Sequence, residues 1–579
     1  MKNKISYIML YLGGCLFFLA SCDLNKTPLA TLSPDTYFSN EKELELYSNK
    51  FYPDILLTGP NIYSDNADAI IISPLNDAVS GQRMIPATGS GWSWDALRRV
   101  NYLLQNSHQT DDVTVRNQYN ALAKFFRAYF YFEKLKRFGE VPWFNTVIES
   151  TDELLFKPRD SRSLIIDSIV RDLDYAIEHL PANKQVYRVN KWAALALKSR
   201  ATLFEGTFRK YHSVADADNY LRLCVEASER LMDEGGYTLY RTGSTPYRDL
   251  FATTNITSQE VILARDYQES LNLLHNVQNY TNSSTTGRPG LSKTMVNSYL
   301  TSSGGRFTDL PNYQLKEFVE ETQNRDPRLA QTIRTPGYTR INSTVRVAPN
   351  LSYSTTGYHL IKYTMGTAAD PFDKSETDIP VFRIAEIYLN LAEAKAELDE
   401  LTQADLDKSI NLLRARVNMP GLNMLNANAN PDPYLGSAET GYTNVSGTNK
   451  GVILEIRRER AVELAMEGHR YYDVMRWKAG KLFEKPMLGM YFAGLGNYDL
   501  DNNGSIDLCL YQGTRPSSPA SLFLEVGTDI ELTEGNKGNI IVHRNINRVF
   551  DENKDYLYPI PSEEINLSND ILVQNPNWK

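Results

Sequence analysis

Helical periodicity combined with small residues is the feature that most constrains the fold of this chain. Leu97, Val100, Leu103 and Leu104 lie three or four positions apart, which places them on one face of a helix. Alanines recur at helical spacing in the following segments, so neighbouring helices can approach closely. Successive hairpins of this kind predict a tetratricopeptide-like array, although an ordinary antiparallel bundle has the same spacing. The further predicted helices are Val115–Phe138, Arg162–Leu180, Arg188–Tyr211 and Ala215–Met232.

Irregular stretches interrupt the helical pattern. Residues 53–92 are rich in Gly, Pro, Asn, Asp and Ser, and long loops of this kind in compact proteins are usually functional or disordered. Residues 236–379 break into short strand-like pieces and turns. Helical patterns return at 381–401, 403–417 and 451–481, and a mixture of loop and short strand follows to the end. We expect a mostly α fold with loop-rich, short-strand insertions, divided into regions 40–235, 236–379 and 380–579.

The first residues resemble an export signal of the lipoprotein type. Lys2 and Lys4 precede an apolar run, and small residues stand directly before Cys22. A transmembrane anchor is the alternative, but the run is shorter than the roughly 20 residues that cross a bilayer. We therefore predict a signal peptide over 1–21, lipidation of Cys22 and a tether over 22–39.

Charge and cysteine content narrow the classes of partner. The formal net charge of -9 argues against a nucleic-acid partner, which requires a basic face. Beyond the signal and Cys22, the chain contains Cys224 and Cys509, which the sequence allows either to pair or to remain as buried thiols. The 35 tyrosines suit wet binding surfaces and sugar faces, although many lie at helical spacing and are expected in the core.

Several motifs together resemble the SusD/RagB family of outer-membrane nutrient-binding lipoproteins. They occur in the order typical of that family and cover nearly the whole chain, which makes the combination specific although each motif alone is weak. The matching stretches are Phe126–Phe132, Arg137–Pro142, Arg171–Asp174 with Leu180 and Pro181, Ala193–Arg200, Asn324–Arg328, Arg383–Glu386 with Ala392–Ala394, Glu459–Asp473 with Arg476 and Trp477, and Tyr558–Pro561 with Gln574–Pro576.

The resemblance implies a SusD-like α/α superhelix on the outer face of the outer membrane. It implies a lid that captures an oligosaccharide, or a peptide in RagB-like members, and delivers it to a SusC-like TonB-dependent transporter. No catalytic step is implied. The charged motif residues lie in helices otherwise lined by Ala and aromatics, which predicts buried ion pairs between helices. These residues are Arg127, Arg200, Arg383, Glu386, Glu393, Glu459, Arg460 and Glu463.

Ligand contacts are sought in loops where aromatic residues have polar neighbours. A sugar ring offers an apolar C–H face for stacking and hydroxyl groups for hydrogen bonds. The loop over 53–94 is the first candidate, and a second loop near residue 340 is expected at the opposite rim. Trp92 has an alternative role, which is to cap the helical core, and Asp65 and Asp68 are equally suited to form turns. The candidate ligand residues are Tyr63, Asp65, Asp68, Asp77 and Trp92, with Tyr338 and Arg340 in the second loop.

A second kind of motif points to a metal. Oxygen-bearing residues at loop positions one, three, five and nine, with Gly504 at six, match the start of an EF-hand calcium loop. Leu510 stands where that loop has its bidentate acid, and a glycine turn with solvated acids is the alternative. If structural calcium binds, we expect Asp499, Asp501, Asn503 and Asp507 to use side chains and Ser505 its backbone oxygen.

Two other functional classes are weaker. A glycoside hydrolase requires two facing carboxylates, and no pair among the 70 acids is singled out. The sequence contains neither His-Glu-x-x-His nor Gly-x-Ser-x-Gly. A protein-only scaffold is disfavoured by the long irregular region 236–379 and by the tyrosine content.

Overall fold

The structure is a computed structural model, and it describes residues 37–56, 62–63, 65–149 and 151–579. The predicted signal peptide, Cys22 and most of the tether lie outside these residues. Helix is far more abundant than strand in these residues, which confirms the mostly α fold class.

Long helices form the first half of the described chain. Their starts follow local sequence, because Asn40, Asp112, Ser161 and Asn190 each accept a backbone N–H in the first turn of a helix. The helices are α1 Glu41–Ser48, α2 Phe51–Ile55, α3 Asp77–Ser80, α4 Asp95–Asn106, α5 Val113–Phe138, α6 Arg162–His179, α7 Lys191–Tyr211 and α8 Ala217–Glu234.

Short helices dominate the middle, and longer ones return towards the end of the chain. The middle helices are α9 Pro246–Asp249, α10 Val277–Asn282, α11 Lys293–Ser298, α12 Phe318–Thr322 and α13 Pro327–Ala330. The later ones are α14 Ile384–Glu397, α15 Gln403–Asp407, α16 Ile410–Arg416, α17 Met424–Ala429, α18 Lys450–Glu463, α19 Arg470–Arg476 and α20 Ser562–Leu567.

The strands form small ribbons. The strands are β1 Ile70–Ile71, β2 Val261–Arg265, β3 Gly290–Leu291, β4 Ile379–Arg383, β5 Met487–Phe492, β6 Gly496–Tyr498, β7 Leu508–Tyr511, β8 Leu522–Glu525 and β9 Gly538–Val542. Four pairs are antiparallel, namely β1–β3, β2–β4, β5–β9 and β6–β7, whereas β7 and β8 are parallel. The β1–β3 and β2–β4 ribbons each join segments from different regions of the sequence, whereas β5–β9 and β6–β7–β8 each lie within the last region.

Two hydrophobic cores organise these elements. The first core lies among the long helices and includes Phe126, Leu195 and Trp477. The second core lies under the loop-rich part and includes Tyr280 and Leu508. The candidate ligand loop contributes to the second core, because β1 pairs with β3 and Ile70 is buried there.

Three predicted helices differ from the structure, and the one expected over 403–417 is divided into α15 and α16 by a turn at Lys408 and Ser409. The helix expected from residue 381 begins at Ile384, because Ile379–Arg383 pair with β2 as a strand. The helix expected over 451–481 is divided into α18 and α19, with positive φ angles at Met466 (61°) and Gly468 (81°) between them. Backbone in this left-handed region cannot continue a right-handed helix.

The predicted ion pairs are present, and all of their side chains are buried except that of Arg200, which is half-buried. Arg383 donates to Glu463 at 2.7 Å and to Glu260 at 2.9 Å, and all three side chains are at most 2% exposed. The other motif charges pair in the same way. These pairs are Arg127–Asp172, Arg200–Glu386, Glu393–Arg476, Glu459–Arg414 and Arg460–Asp473.

Cys224 and Cys509 are both free and buried, so the pairing that the sequence left open does not form. Burial raises the pKa of the Cys224 thiol to about 12. Within the described ranges, no helix is both long and apolar enough to cross a membrane.

Candidate functional site

Asp65 anchors the candidate ligand loop to the scaffold. Its carboxylate accepts the backbone N–H of Glu467 at 2.8 Å and of Arg470 at 2.7 Å, where α19 begins. The residue is 1% exposed, and burial raises its pKa to about 6. The expected role of Asp65 as a ligand acceptor is therefore corrected, because both of its carboxylate oxygens accept backbone N–H groups at the break between α18 and α19.

Asp68 also forms an ion pair with the helical scaffold. It pairs with Arg470, whose Nε lies 2.8 Å from Asp68 Oδ1, and Arg470 also donates to the Tyr442 hydroxyl at 2.7 Å. A bidentate guanidinium–carboxylate pair of this kind fixes the geometry of the loop and leaves the Asp68 carboxylate little capacity to bind a ligand. Asp77 lies in the first turn of α3 and is exposed.

Trp92 is part of the core and is 4% exposed. Its ring packs edge-on against Phe138 at 4.9 Å and Trp94 at 5.5 Å. The prediction of an exposed stacking platform is corrected, and the alternative of a core-capping residue describes what is observed. The half-buried Trp94 lines an apolar groove of about 410 Å³ together with Phe144 and Phe156.

Tyr63 stacks on a helix that sequence reasoning did not single out. Its ring lies 4.0 Å from the ring of Tyr280 with an angle of 28° between the planes, and Tyr280 belongs to α10. The Tyr280 hydroxyl donates to Asn66, so the ligand loop is held to α10 by two neighbouring contacts. Tyr63 itself is half-buried, and burial raises its pKa to about 12.

The second candidate loop reaches the same helix. Arg340 donates to Asn282 Oδ1 at 2.8 Å and to Asp370 at 3.0 Å, and Asn282 is the last residue of α10. Arg340 and Tyr338 are 8% and 6% exposed, so both lie beneath the surface instead of forming a rim. This too is a correction, because Arg340 supports α10 and the side chains of both residues are buried.

The two loops therefore meet on one short helix, and its exposed surroundings form the candidate site. We call this site the α10 surface. It consists of half-buried and exposed residues around α10. They are Tyr63, Asn279, Thr286, Arg288 and Phe372.

Hydrogen bonds link the polar groups on the α10 surface to one another and to the neighbouring loop. Thr286 donates to Asn279 Oδ1 at 3.0 Å, and Asn279 donates to the Asp370 carbonyl at 2.8 Å. Gly287, which follows Thr286, has a φ of 78°, and a Cβ there would lie at ordinary contact distance, 3.4 Å, from the Tyr280 ring. The left-handed backbone conformation, and not a clash with the ring, therefore suits glycine at this position.

Arg288 and Phe372 complete the α10 surface. Arg288 donates to the Leu351 carbonyl at 2.7 Å, while its Nε has no hydrogen-bond partner among the described residues. Phe372 is 66% exposed and is followed by Asp373, which exchanges hydrogen bonds with Asn276 just before α10. Exposed rings beside amide and guanidinium groups suit ligands that have both an apolar face and hydroxyl groups.

The sequence contained a weak signal for α10. The stretch from Asn276 to Asn282 concentrates amides around one tyrosine within the irregular region 236–379. This composition is also typical of a turn, so it indicates a binding element only once the two loops are seen to contact it.

The predicted metal-ligand loop is also brought together. Carboxylate oxygens of Asp499, Asp501 and Asp507 lie within 4.8 Å of one another. Asn503 and Ser505 lie in the same turn, between β6 and β7.

Long packed helices with a loop-rich face, two hydrophobic cores and small β-ribbons define the class of fold, which is a mostly α scaffold. Residues 250–578 match the model of the SusD family, and residues 93–203 match a family described as starch-binding and associating with the outer membrane. The chain belongs to the SusD family.

Relatives and solved structures agree with this assignment. SusD-like protein P25 of Formosa agariphila is 23% identical over 82% of this chain and 90% of its own length. SusD-like protein P2 of the same organism is 22% identical over the full length of both chains. A SusD-like carbohydrate binding protein from Bacteroides fragilis superposes with a TM-score of 0.69 at 21% identity, covering 93% of this chain and 99% of the other. A second SusD-like protein from that organism gives 0.68 at 22% identity, covering 95% and 99%.

Proposed function

We propose that the protein is a glycan-binding lipoprotein of the outer membrane, anchored through Cys22 and facing outward. It captures an oligosaccharide at the α10 surface and delivers it to a SusC-like TonB-dependent transporter. Family membership supports glycan capture, since one similar structure is described as a SusD-like carbohydrate binding protein. Support for the membrane location comes from the description of the family matched by residues 93–203.

The observation that carries the proposal is the convergence of two distant loops on α10. Tyr63 contacts Tyr280 and Arg340 contacts Asn282, so one short helix receives both. Such cross-bracing preorganises a surface, and preorganisation lowers the entropy lost on binding. The accessible part of the Tyr63 ring and the exposed Phe372 supply stacking faces for sugar rings.

The buried charges support a binding role without catalysis. The motif acids Glu386, Glu393 and Glu463 are each engaged by arginine at 2.8 Å or less. Burial alone would raise the pKa of Glu393 and Glu463, but the arginine partners outweigh it and lower both, so these two carboxylates are poor proton donors. We therefore propose that bound glycan leaves the protein unchanged.

A glycan array combined with a product assay tests this function. The full mature protein should bind one or more oligosaccharide classes, and prolonged incubation with the bound glycan should release no new reducing ends. Binding to peptides with no glycan signal would instead indicate a RagB-like peptide carrier. Release of sugar would indicate a hydrolase, and either result would contradict the proposal.

Delivery requires a second measurement. The lipidated protein, solubilised from membranes under mild conditions, should copurify with a TonB-dependent transporter. Glycan binding without any transporter in the purified complex would restrict the function to capture at the surface.

A further inference from the structure

The turn between β6 and β7 gathers negative charge without a balancing cation. Carboxylate oxygens of Asp499, Asp501 and Asp507 lie within 4.8 Å of one another. Across the described parts of the chain, no Lys or Arg nitrogen lies within 4.0 Å of any of these three carboxylates. Like charges at this separation repel one another unless a cation or a proton compensates.

Asp501 shows most directly that a partner is needed. The residue is 2% exposed, and its Oδ2 accepts a hydrogen bond from Asn503 Nδ2 at 2.9 Å. Its Oδ1 is buried and has no hydrogen-bond partner among the described residues. A buried carboxylate oxygen without a donor is costly, and a metal cation is a partner that satisfies it.

The backbone of the turn is wound around the other two carboxylates. Asp499 accepts the N–H groups of Asn503 at 3.1 Å and Gly504 at 2.7 Å, and Asp507 accepts that of Leu500 at 2.8 Å. Gly504 has a φ of 87°, which provides the sharp bend at position six.

We propose that residues 499–507 form a calcium site. The carboxylates of Asp499, Asp501 and Asp507 are ligands, and the Asn503 side-chain oxygen and the Ser505 carbonyl add two more. These are loop positions one, three, nine, five and seven of a calcium loop. Ligation by Asn503 requires its amide to flip, since the nitrogen now faces Asp501.

Position twelve sets the expected affinity. Leu510 stands there, is 1% exposed and packs in the second core, so the bidentate acid of a full EF-hand loop is replaced by an apolar side chain. Water completes the coordination shell. We expect a dissociation constant of about 10⁻⁴–10⁻³ M, the range of extracellular calcium modules.

The ion stabilises the loop-rich half of the molecule. Leu500 and Leu508 lie at the two ends of the turn, and both are buried in the second core, which also contains Tyr280. Calcium therefore fastens the β6–β7 turn to the core that supports α10. This inference rests on the loop alone and does not depend on the proposed function.

Calcium titration of the chelator-treated, full mature protein tests the site. Calorimetry should detect one Ca²⁺ per chain, and the melting temperature should rise with calcium. Terbium should give luminescence sensitised by Tyr498, which directly precedes the loop. Asp501→Asn and Asp499→Asn should each weaken binding roughly tenfold or more, because each removes a charged oxygen ligand.

Glu534→Gln is the matched control, since this substitution removes the same charge at a 58% exposed position outside the loop. This variant should bind calcium like the unmodified protein. Absence of binding at about 5 mM calcium, well above the expected range, would overturn the proposal. Equal affinity in the Asp499→Asn variant would also overturn it, and this half-buried position gives a reading even where Asp501→Asn fails to fold.

Discussion

At the scale of single residues, buried charges in the helical half act as cross-links between helices. Glu393 is 1% exposed, accepts from Arg476 at 2.8 Å and accepts from the Trp477 indole N–H at 2.7 Å. Burial alone would raise the pKa of Glu393, but the Arg476 guanidinium outweighs it and lowers the pKa to about 2. Removing one partner of such a pair destabilises the fold, because the other partner is left as a buried charge without compensation.

This arrangement predicts how stability depends on pH. The folded-state pKa of Glu393 lies below the unfolded value of about 4.3, so its stabilisation is present above that pH and is lost as the pH falls towards 2. Glu393→Gln should lower the free energy of unfolding by about 3–5 kcal/mol at pH 7. The difference from the unmodified protein should shrink in acid.

Urea unfolding at pH 7, 5 and 3 measures this difference. Glu439→Gln, at an exposed position, is the control and should stay within about 0.5 kcal/mol. A Glu393→Gln variant as stable as the unmodified protein at pH 7 would show that the ion pair contributes nothing.

Residue-scale prediction from the sequence worked for the scaffold, whereas Asp65 and Trp92 of the ligand loop are buried instead of facing a ligand. Arg200 and Glu386 were expected in buried pairs because charges on alanine-lined helix faces need partners. Asp65 and Trp92 were expected at a ligand surface, because polar and aromatic loop residues suit sugars. Only the packing against α19 and Phe138 shows that both are committed to the interior.

At the scale of elements, close helix packing depends on small residues. Gly206 in α7 faces α8, and a Cβ there would lie 2.7 Å from Leu221 Cγ and 2.9 Å from the Leu221 backbone nitrogen. Real Cβ atoms do not approach that closely, so a larger residue must displace α8. The glycine is therefore required by helix–helix distance, although it lowers helix propensity.

Gly206→Ala should destabilise the protein by about 1–3 kcal/mol through this clash, despite the better helix propensity of alanine. Thermal and urea unfolding measure the effect. Gly305→Ala is the matched control, since the nearest contact of its Cβ would be 3.4 Å from Thr301 Oγ1, and it should change stability by less than about 0.5 kcal/mol. Stabilisation by Gly206→Ala would mean that α7 and α8 are farther apart than described.

Local elements were predictable where their signal is local. Helix α5 was expected to begin at 115 and begins at Val113, because periodicity and the Asp112 cap lie in adjacent residues. Strand β4 was missed, because its partner β2 is more than a hundred residues earlier in the chain. Short strands depend on such partners, and a single sequence does not reveal them.

At the scale of the whole molecule, the long helices form a packed base and the loop-rich half carries the candidate site. The two halves are linked by β2–β4 and by Asp65, which reaches from the ligand loop to the start of α19. The α10 surface joins segments that are far apart in the sequence, and beneath it Asn66 contacts Tyr280, 214 residues away. No local pattern could have predicted that contact.

The central claim is that this surface captures glycan, and calorimetry of variants tests it most directly. With a glycan identified by the array, Tyr63→Ala should weaken binding about tenfold, since one aromatic stacking contact contributes about 0.5–1.5 kcal/mol and its polar neighbours lose support. Phe156→Ala, an equally sized change at a 42% exposed ring in the separate apolar groove, is the control and should bind like the unmodified protein. Full affinity in a folded Tyr63→Ala variant, with loss in Phe156→Ala, would contradict the account and place the glycan in the apolar groove.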